Sequence, residues 1–543
     1  MVVSTPILGV AVLVYLLVIF YLGWAGYKKT KDIDDYMIAG RKIHSYVLAL
    51  SYGATFISTS AIVGFGGAAG VLGMGLLWLT FMNVFVGIFI AFVVFGSKTR
   101  RIGLNLRAVT FPELMGRRFE SRFIQGFSGI LLGIFMPLYS GIVLIGAARF
   151  LETTLGINYD VAVLIFAVII AAYVITGGLI AVMYTDALQG TLMFVGMAVL
   201  ISITYLKLGG ITEAHRMLTD MAPLVPETLV QQGHMGWTAM PAFGSTLWWN
   251  LVSTLILGVG IGVLAQPQLA VRFMTVKNDQ ALNRAVLVGG PFILMMTGVA
   301  FTVGALSNAY FYKTQNLISI AIAKGNTDLI IPQYINSSMP DFFVVLFMLT
   351  LLAAAMSTLS SQFHTMGTAI GHDFYREYLM KGKSGKTVSI TKLGIAVTIL
   401  ASVILAYILP VSIIASATAI FFGLCAAAFL PMYAGALFWK RMTKEGAIAS
   451  LIVGTFSSLF WLIFVHAKEA VPLGISQAVF GKATLLIGTW TVIDPILIAT
   501  PLAMLAAVIV SLATNPPSKE HLQICYEGKV IHGKKIDEGA GLS

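Results

Sequence analysis

The sequence predicts an all-α polytopic membrane protein, and three observations support this fold class. The chain has 543 residues, of which 58% are hydrophobic and only 10% are charged. This balance is far too apolar for a soluble globular protein of that length. The apolar runs repeatedly reach the roughly 20 residues of helix that span about 30 Å of hydrocarbon. They do not show the alternation of a membrane β-barrel, so helices are the expected spanning elements.

Charge and cysteine usage exclude several function classes. The net charge is +11, but the Lys and Arg residues lie in short loops between apolar runs, which indicates membrane orientation rather than nucleic-acid binding. Cys425 and Cys525 are the two cysteines of the sequence, too few for a disulfide framework or a cysteine metal cluster. The first apolar run lacks a charged leading segment and a cleavage site, so we expect a retained helix rather than a signal peptide.

Hydropathy predicts about 13 membrane-spanning helices. Strongly basic loops follow the first, third, ninth and eleventh of these helices. The positive-inside rule therefore predicts an external N-terminus and a cytoplasmic C-terminus. After Leu512 the composition turns polar, and we expect a mobile cytoplasmic tail. The expected spans are residues 6–27, 44–69, 71–97, 123–152, 160–180, 182–207, 244–271, 284–312, 340–379, 388–409, 411–438, 446–466 and 484–513.

Two expected spans contain residues that interrupt helices. The second contains several glycines, and the seventh ends in glycines followed by Gln266 and Pro267. Close packing through small residues explains Gly66, Gly67 and Gly70. Interrupted helices at corresponding places in two halves of a chain, however, point to an inverted-repeat transporter with its site at the membrane midplane. Spans two to six and seven to eleven would form such halves.

A polar patch lies at membrane depth in the ninth expected span. Ser357, Ser360 and Ser361 are spaced i, i+3 and i+4 in the stretch Leu351 to Gln362, so their hydroxyls share one helix face. Small hydroxyl residues often serve only close helix packing. The alternative is an oxygen-lined seat for a hard monovalent cation. A break near Ala54 and Ile57 of the second span would free carbonyl oxygens for the same cation.

Four charged residues lie near the ends of expected spans. Asp186 either caps a helix at the interface or lies inside the bundle as a functional carboxylate. Arg149 and Glu152 are spaced i, i+3 and are expected to pair with each other at the interface. Arg272, near the inner end of the seventh span, is expected to anchor or snorkel at the membrane surface.

Four stretches carry a resemblance to a known family. They are DDYMIAGRKI (residues 34–43), LSYGATFIS (residues 50–58), TGGLIAVMYTDALQ (residues 176–189), and AAAMSTLSSQ (residues 353–362) with the later FWKRMTKEGAIASLIVG (residues 438–454). With these motifs the chain resembles the sodium:solute symporter family over nearly its whole length, and lies nearest the proline, pantothenate and monocarboxylate branch.

The resemblance implies a LeuT-like core of two inverted five-helix repeats and Na+-coupled alternating access in a bacterial or archaeal cell membrane. The implied parts are an N-terminal helix and loop (residues 1–43), a first repeat (44–207), an external loop (208–243), a second repeat (244–438), two further helices (439–513) and a cytoplasmic tail (514–543). The implied partners are a small organic solute and the lipid bilayer, with no nucleic acid and no obligate protein partner.

The resemblance also implies the ion sites. The family's principal sodium site uses carbonyls at the positions of Ala54, Ile57 and Ala354 and hydroxyls at those of Ser357 and Thr358. Some members have a second sodium site, whose side chains correspond to Asp186, Ser357, Ser360 and Ser361. Both sets are complete in this sequence, so the resemblance implies one or two coupled Na+ ions and no catalytic residues.

The solute is predicted less directly. The resemblance places Thr55, Ser58, Tyr139, Val259 and Gln266 as candidate solute-binding residues. Proline symporters carry a tryptophan at the position of Val259, which weakens proline as the solute. Sugar symporters carry Gln and Glu at the positions of Ala61 and Thr80, so a sugar would lack partners for its hydroxyls. A monocarboxylate or similar anion is therefore expected, with proline or pantothenate as the alternative.

Other classes of protein fit the sequence less well. His364 lies near two serines, but no GxSxG or HExxH pattern accompanies it, which argues against a membrane enzyme. The tail is too short to hold a signalling domain, which argues against a solute sensor. A channel would not need two broken helices around one closed site.

Overall fold

Helices make up the computed structural model, which describes residues 5–383, 387–410 and 413–528; no β-strand occurs in those ranges. The expected tail beyond residue 528, the first four residues and Lys386 of one basic loop lie outside them. The main helices are α1 (Thr5–Lys29), α2 (Ser45–Phe56), α3 (Gly66–Leu72), α4 (Leu77–Val84), α5 (Phe111–Arg118), α6 (Arg122–Leu155), α7 (Tyr159–Leu208), α8 (Asp279–Gln315), α9 (Asp341–Thr368), α10 (Thr387–Ile408), α11 (Ile414–Phe438), α12 (Lys444–Phe464), α13 (Ile496–Ala513) and α14 (Lys519–Glu527).

Eleven helical stretches within the described ranges are long and apolar enough to cross a membrane, so the expected number of thirteen is not confirmed. Two of the continuous helical stretches are long enough to cross the membrane twice. Ser60–Asn105 has 46 residues and α7 has 50, whereas about 20 residues span the hydrocarbon core. Each contains a glycine with positive φ, Gly73 at +76° and Gly178 at +60°. These glycines lie beside the expected boundaries at residues 69/71 and 180/182.

The core of the bundle is α9. Nearly every side chain of α9 from Leu351 to Thr368 is buried. The helix packs against α7, α6, α10 and α2, so it is surrounded by protein on all sides. A helix with polar hydroxyls and no lipid-facing side must place those hydroxyls against other protein groups. The serine patch therefore faces the bundle interior.

The two expected breaks are present, and each has a local cause. In residues 45–72, α2 ends at Phe56, Ile57 is extended with φ −90° and ψ 104°, and a π-helical turn begins at Ser60. The Ser58 hydroxyl accepts the Ser60 N–H at 3.0 Å, a side-chain bond that competes with helix continuation. In residues 246–275, Gln266 is extended with φ −77° and ψ 112°, because the following Pro267 disfavours the helical conformation for the residue before it.

The short helix α5 packs against α6 and against residues 369–379, the π-helical continuation of α9. Its N-cap Thr110 accepts the Glu113 N–H at 3.0 Å, and Glu113 in turn accepts the Val109 N–H at 2.8 Å. Arg117 lies 2.6 Å from the same carboxylate and His372 lies 3.4 Å from it. Burial raises the pKa of Glu113, but the charges of His372 and Arg117 outweigh burial and hold the pKa well below its ordinary value.

The chain after α13 is packed rather than free. The Cys525 side chain on α14 is fully buried, its carbonyl accepts the Asn105 side chain at 3.0 Å, and the Tyr526 hydroxyl donates to the Ala436 carbonyl at 2.7 Å. The expectation of a mobile tail is therefore wrong for the residues up to Gly528, because apolar contacts and these hydrogen bonds dock α14 on the bundle.

The expected pair of Arg149 and Glu152 is present at 2.7 Å.

We expect Glu113→Gln to destabilise the chain at neutral pH by about 2 kcal/mol, because it removes a charge-assisted hydrogen-bond acceptor from a buried site. The depressed pKa adds stability above the ordinary Glu value of 4.5, and this contribution is lost as the pH falls below it. Thermal unfolding in detergent between pH 4 and 7.5 measures both effects. Glu445→Gln, at an exposed residue, is the control. Equal midpoints for the two variants at pH 7.5 would contradict the assignment.

Candidate functional site

The first break and the serine patch of α9 meet in the bundle interior. The Ser357 hydroxyl lies 2.8 Å from the carbonyl oxygen of Ala54. The Thr358 hydroxyl lies 3.3 Å from the same oxygen and 3.1 Å from the carbonyl oxygen of Thr55. All four residues are at most 1% exposed. Residues some 300 positions apart in the sequence thus form one cluster of oxygen atoms.

The break explains why these carbonyls are available. In a continuous helix, the oxygens of Ala54 and Thr55 would accept the N–H groups of Ser58 and Thr59. The extended conformation at Ile57 removes those partners. Hydroxyls from α9 supply replacements, which a buried carbonyl in a membrane requires.

Most of the expected principal cation set is together. Ser357 also lies 3.3 Å from the carbonyl oxygen of Ala354, one turn earlier on α9. Ile57 is 1% exposed and lies at the break, where its N–H donates to Gly53 at 2.8 Å. Uncharged carbonyl and hydroxyl oxygens fit a hard monovalent cation. Within the described residues, no group of His, Cys, Asp and Glu side chains fits a transition metal.

The expected second set surrounds Asp186, which is fully buried. This placement favours the bundle-interior interpretation of Asp186 over an interfacial cap. The Ser360 hydroxyl lies 3.4 Å from one carboxylate oxygen and the Ser361 hydroxyl lies 3.4 Å from the other. Ser51 and Thr55 of α2 donate to that second oxygen at 2.9 and 3.3 Å. Ser357 instead faces Ala54 and belongs to the principal cluster.

Arg272 lies in the middle of this second cluster. Its side chain is 1% exposed, and its Nη2 is 2.9 Å from the Asp186 carboxylate. The expectation that Arg272 anchors or snorkels at the membrane surface is therefore wrong. The short helical turns after Pro267 carry residue 272 into the bundle, where the Asp186 carboxylate compensates its charge.

A small cavity lies beside the first break. The cavity volume is about 20 Å³, which is room for about one water molecule. The cavity is therefore nearly closed, and a larger solute needs side-chain movement. None of its lining side chains is charged. They are Phe56, Ile57, Ser58, Ser60, Ala61, Phe65, Leu79, Asn83, Tyr139, Val259, Phe301, Thr418 and Phe422.

Three of the five expected solute-binding residues line this cavity: Ser58, Tyr139 and Val259. Thr55 does not, because its hydroxyl lies 2.9 Å from that of Ser361 and 3.3 Å from Asp186. Gln266 does not line it either. Its side-chain amide donates to the Gly262 carbonyl at 3.2 Å and its oxygen accepts from Gln268 at 3.1 Å.

The sequence prediction missed three polar residues of the cavity, namely Ser60, Asn83 and Thr418. The side-chain oxygens of Asn83 and Ser60 are buried and have no hydrogen-bond partner. Ser58 and Tyr139 have their hydroxyls 3.4 Å apart. An asparagine inside an apolar span was a usable signal, since intramembrane polar residues usually have a functional role. Arg272 carried the same signal.

Comparison with known proteins agrees with this geometry. The sequence profile described as the sodium:solute symporter family matches residues 36–454. The osmoregulated proline transporter OpuE of Bacillus subtilis is 26% identical over 510 residues, covering 93% of this chain and 94% of that protein. The sodium/pantothenate symporter of Haemophilus influenzae is 29% identical over 485 residues, covering 88% of this chain and 94% of that protein.

The fold has a solved counterpart. The substrate-bound, outward-open structure of a Na+-coupled sialic acid symporter matches with a TM-score of 0.72 at 19% identity, over 94% of this chain and 98% of that one. The expected all-α, LeuT-like fold class is confirmed. The family profile covers well over half of the chain and confirms the resemblance carried by the four stretches. This multi-pass membrane protein therefore belongs to the sodium:solute symporter family, with sodium as its coupling ion.

Proposed function

We propose that this symporter takes up a small monocarboxylate, or another carboxylate-bearing metabolite, together with Na+ by alternating access. The observation that carries the proposal is the placement of the Ser357 and Thr358 hydroxyls against the carbonyl oxygens of Ala54 and Thr55. The proposed Na+ ligands are the carbonyls of Ala54, Ile57 and Ala354 and the hydroxyls of Ser357 and Thr358. Each comes from the break or from the helix packed against it.

The cation cluster and the cavity share the residues of the break. Ile57 belongs to the proposed Na+ ligands, and Ile57 and Ser58 also line the cavity. An ion bound between α2 and α9 therefore holds one wall of the solute site. Two ligands that stabilise the same arrangement of one segment bind cooperatively, and the coupling is reciprocal. Symport requires that cooperativity.

The cavity supports a compact solute with an apolar body and a small polar group. Aromatic and aliphatic side chains form most of the wall, while Ser60, Asn83 and the Ser58–Tyr139 pair supply the polar groups. A carboxylate fits such a set, because hydroxyl and amide groups can donate to its oxygens.

Proline or pantothenate is the alternative solute. The two relatives described above are a proline transporter and a sodium/pantothenate symporter by name. Proline is itself a compact carboxylate and would need less side-chain movement at the cavity than a larger solute. Pantothenate is longer and carries hydroxyls and an amide, which the few polar groups of the wall satisfy less well.

The proposal includes the orientation and the repeat. The basic loops favour a cytoplasmic location for the loop that contains Lys381 and Lys383, with the N-terminus outside. The broken segments, residues 45–72 and 246–275, would be the first members of two inverted five-helix halves, residues 44–207 and 244–438.

We expect Ser357→Ala to raise the Na+ concentration for half-maximal uptake by about 10-fold or more, because it removes one hydroxyl ligand. Uptake by proteoliposomes measured against Na+ concentration, with choline as the replacement ion, tests this. Ser450→Ala is the control, since Ser450 is also fully buried but lies on α12, outside the proposed sites. A similar shift in both variants would count against the cation assignment.

We expect an imposed inward Na+ gradient to drive accumulation of a short monocarboxylate such as lactate or acetate in proteoliposomes. Proline, pantothenate and glucose complete the panel, and a K+ gradient of equal size is the control for leakage. Accumulation of proline or pantothenate alone would replace the proposed solute by the alternative. Movement of none of these compounds would overturn the solute assignment.

The transported compound then tests the cavity. We expect Tyr139→Phe to raise the KM for it about 5- to 10-fold, because the hydroxyl that pairs with Ser58 is lost. Half-maximal Na+ in direct binding should stay unchanged. Tyr433→Phe removes an equally buried hydroxyl bonded to Thr99, away from the cavity, and should leave the KM near the wild-type value. An unchanged KM in Tyr139→Phe would place the solute elsewhere.

Orientation is tested by labelling single cysteines on a chain in which Cys425 and Cys525 are replaced by serine. We expect an impermeant maleimide added to whole cells to label Gln232→Cys and to miss Lys383→Cys, since both positions are exposed but belong to loops on opposite sides. Lysed cells should label both. The reverse pattern in whole cells would invert the proposed topology.

A further inference from the structure

We propose that the guanidinium group of Arg272 takes the place of a second alkali cation, so that the chain binds one Na+ rather than the two that its resemblance to some family members implies. This inference deepens the proposed function and rests on its Na+-coupled mechanism. The residues of the expected second site are present, but a charged group of the chain itself already uses their oxygen atoms.

The Arg272 guanidinium donates four hydrogen bonds within the bundle. Nε donates to the Ser51 hydroxyl at 3.0 Å and Nη1 donates to the Gln268 carbonyl at 2.5 Å. Nη2 donates to the Asp186 carboxylate at 2.9 Å and to the Ser361 hydroxyl at 2.5 Å. All these partners are at most 1% exposed, and Asp186 is fully buried. The four partners belong to α2, α7, α9 and the short helix after the second break.

A second Na+ would need the same atoms. Its expected ligands include the Asp186 carboxylate and the Ser361 hydroxyl, and both of these contact Arg272 Nη2. A Na+ bound to these oxygen atoms would lie next to the guanidinium, and two adjacent positive charges repel strongly in an interior that excludes water. One carboxylate compensates one positive charge, and Asp186 is already compensated by Arg272. The residues present therefore do not fit a second ion.

The Arg272–Asp186 pair lies where four elements of the bundle meet. Asp186 belongs to α7, Ser51 and Thr55 to α2, Ser361 to α9, and Arg272 to the segment after the second break. A cation at the expected second site would join two of these elements, α7 and α9. Thr55 links the two clusters, since its hydroxyl bonds to Asp186 and its carbonyl accepts from Thr358. The tethered cation thus performs the bridging role of a bound ion.

Counting bound Na+ ions tests this inference without knowledge of the solute. Equilibrium binding of radioactive ²²Na+ to the purified full-length chain, at constant ionic strength with choline, gives the number of ions per chain. We expect one for the wild type and one more for Arg272→Gln, in which the carboxylate and serines are free of the guanidinium. The added ion should disappear in the double variant Asp186→Asn/Arg272→Gln.

Arg149→Gln is the matched control, because Arg149 also pairs with a carboxylate, that of Glu152, at a partly exposed site. It should leave the count unchanged. A wild-type count of two overturns the inference, and so does an Arg272→Gln count equal to that of the wild type. The wild-type count decides by itself if thermal unfolding shows that Arg272→Gln is not folded. Loss of an ion in Ser357→Ala tests the principal site separately, so failure of the proposed function is distinguishable.

Discussion

The interruption of the helix at Ile57 is the feature on which the functional site depends. Ending α2 at Phe56 deprives the oxygens of Ala54 and Thr55 of their main-chain partners. In a bilayer interior, an unsatisfied carbonyl costs several kcal/mol. The hydroxyls of Ser357 and Thr358 remove that cost when no ion is bound. In the proposed mechanism, an arriving ion exchanges one set of partners for another, which keeps binding reversible, as a transport cycle requires.

The two polar clusters of α9 differ in charge, although they lie within one helical turn of each other. The cluster around Ala54 contains carbonyls and hydroxyls, so a bound Na+ there keeps its positive charge and is not held by a salt bridge. The cluster around Asp186 is a neutral ion pair formed within the chain. A fixed guanidinium cannot leave during the cycle. The first cluster is therefore suited to transport an ion, and the second to join helices.

Much of this arrangement was predictable from the sequence. The i, i+3, i+4 spacing of Ser357, Ser360 and Ser361 predicts a shared face, and the structure turns that face to the interior. The glycines of the second expected span, and the glycines and proline around Gln266, predict both breaks, and the structure gives their local causes at Ser58 and Pro267. These features depend on local chain properties, namely side-chain bonds to the main chain and the conformational restriction before proline.

The rest depends on contacts between distant segments. Hydropathy places Arg272 at a span end, because it averages over a window and does not register that short turns after Pro267 carry the residue inward. The expected thirteen helices are not confirmed as separate elements, since the continuous helical stretches that contain Gly73 and Gly178 run through two of the expected boundaries. Asn83 and Ser60 join the solute cavity only because the wall of one segment packs against another. No periodicity of the sequence contains that information.

The position of the break also explains how one event acts on two ligands. Ile57 and Ser58 border the cavity, and Ala54 and Thr55 border the ion cluster, so fewer than two helical turns separate the two sites. A ligand shifts a conformational equilibrium only by its difference in affinity between states. Movement of α2 away from α9 would separate the carbonyls from the hydroxyls and open the cavity wall at once. Under the proposed function, ion and solute favour the same closed arrangement, and the energy of ion binding acts on the solute site through the main chain that joins the two sites rather than through a distant relay.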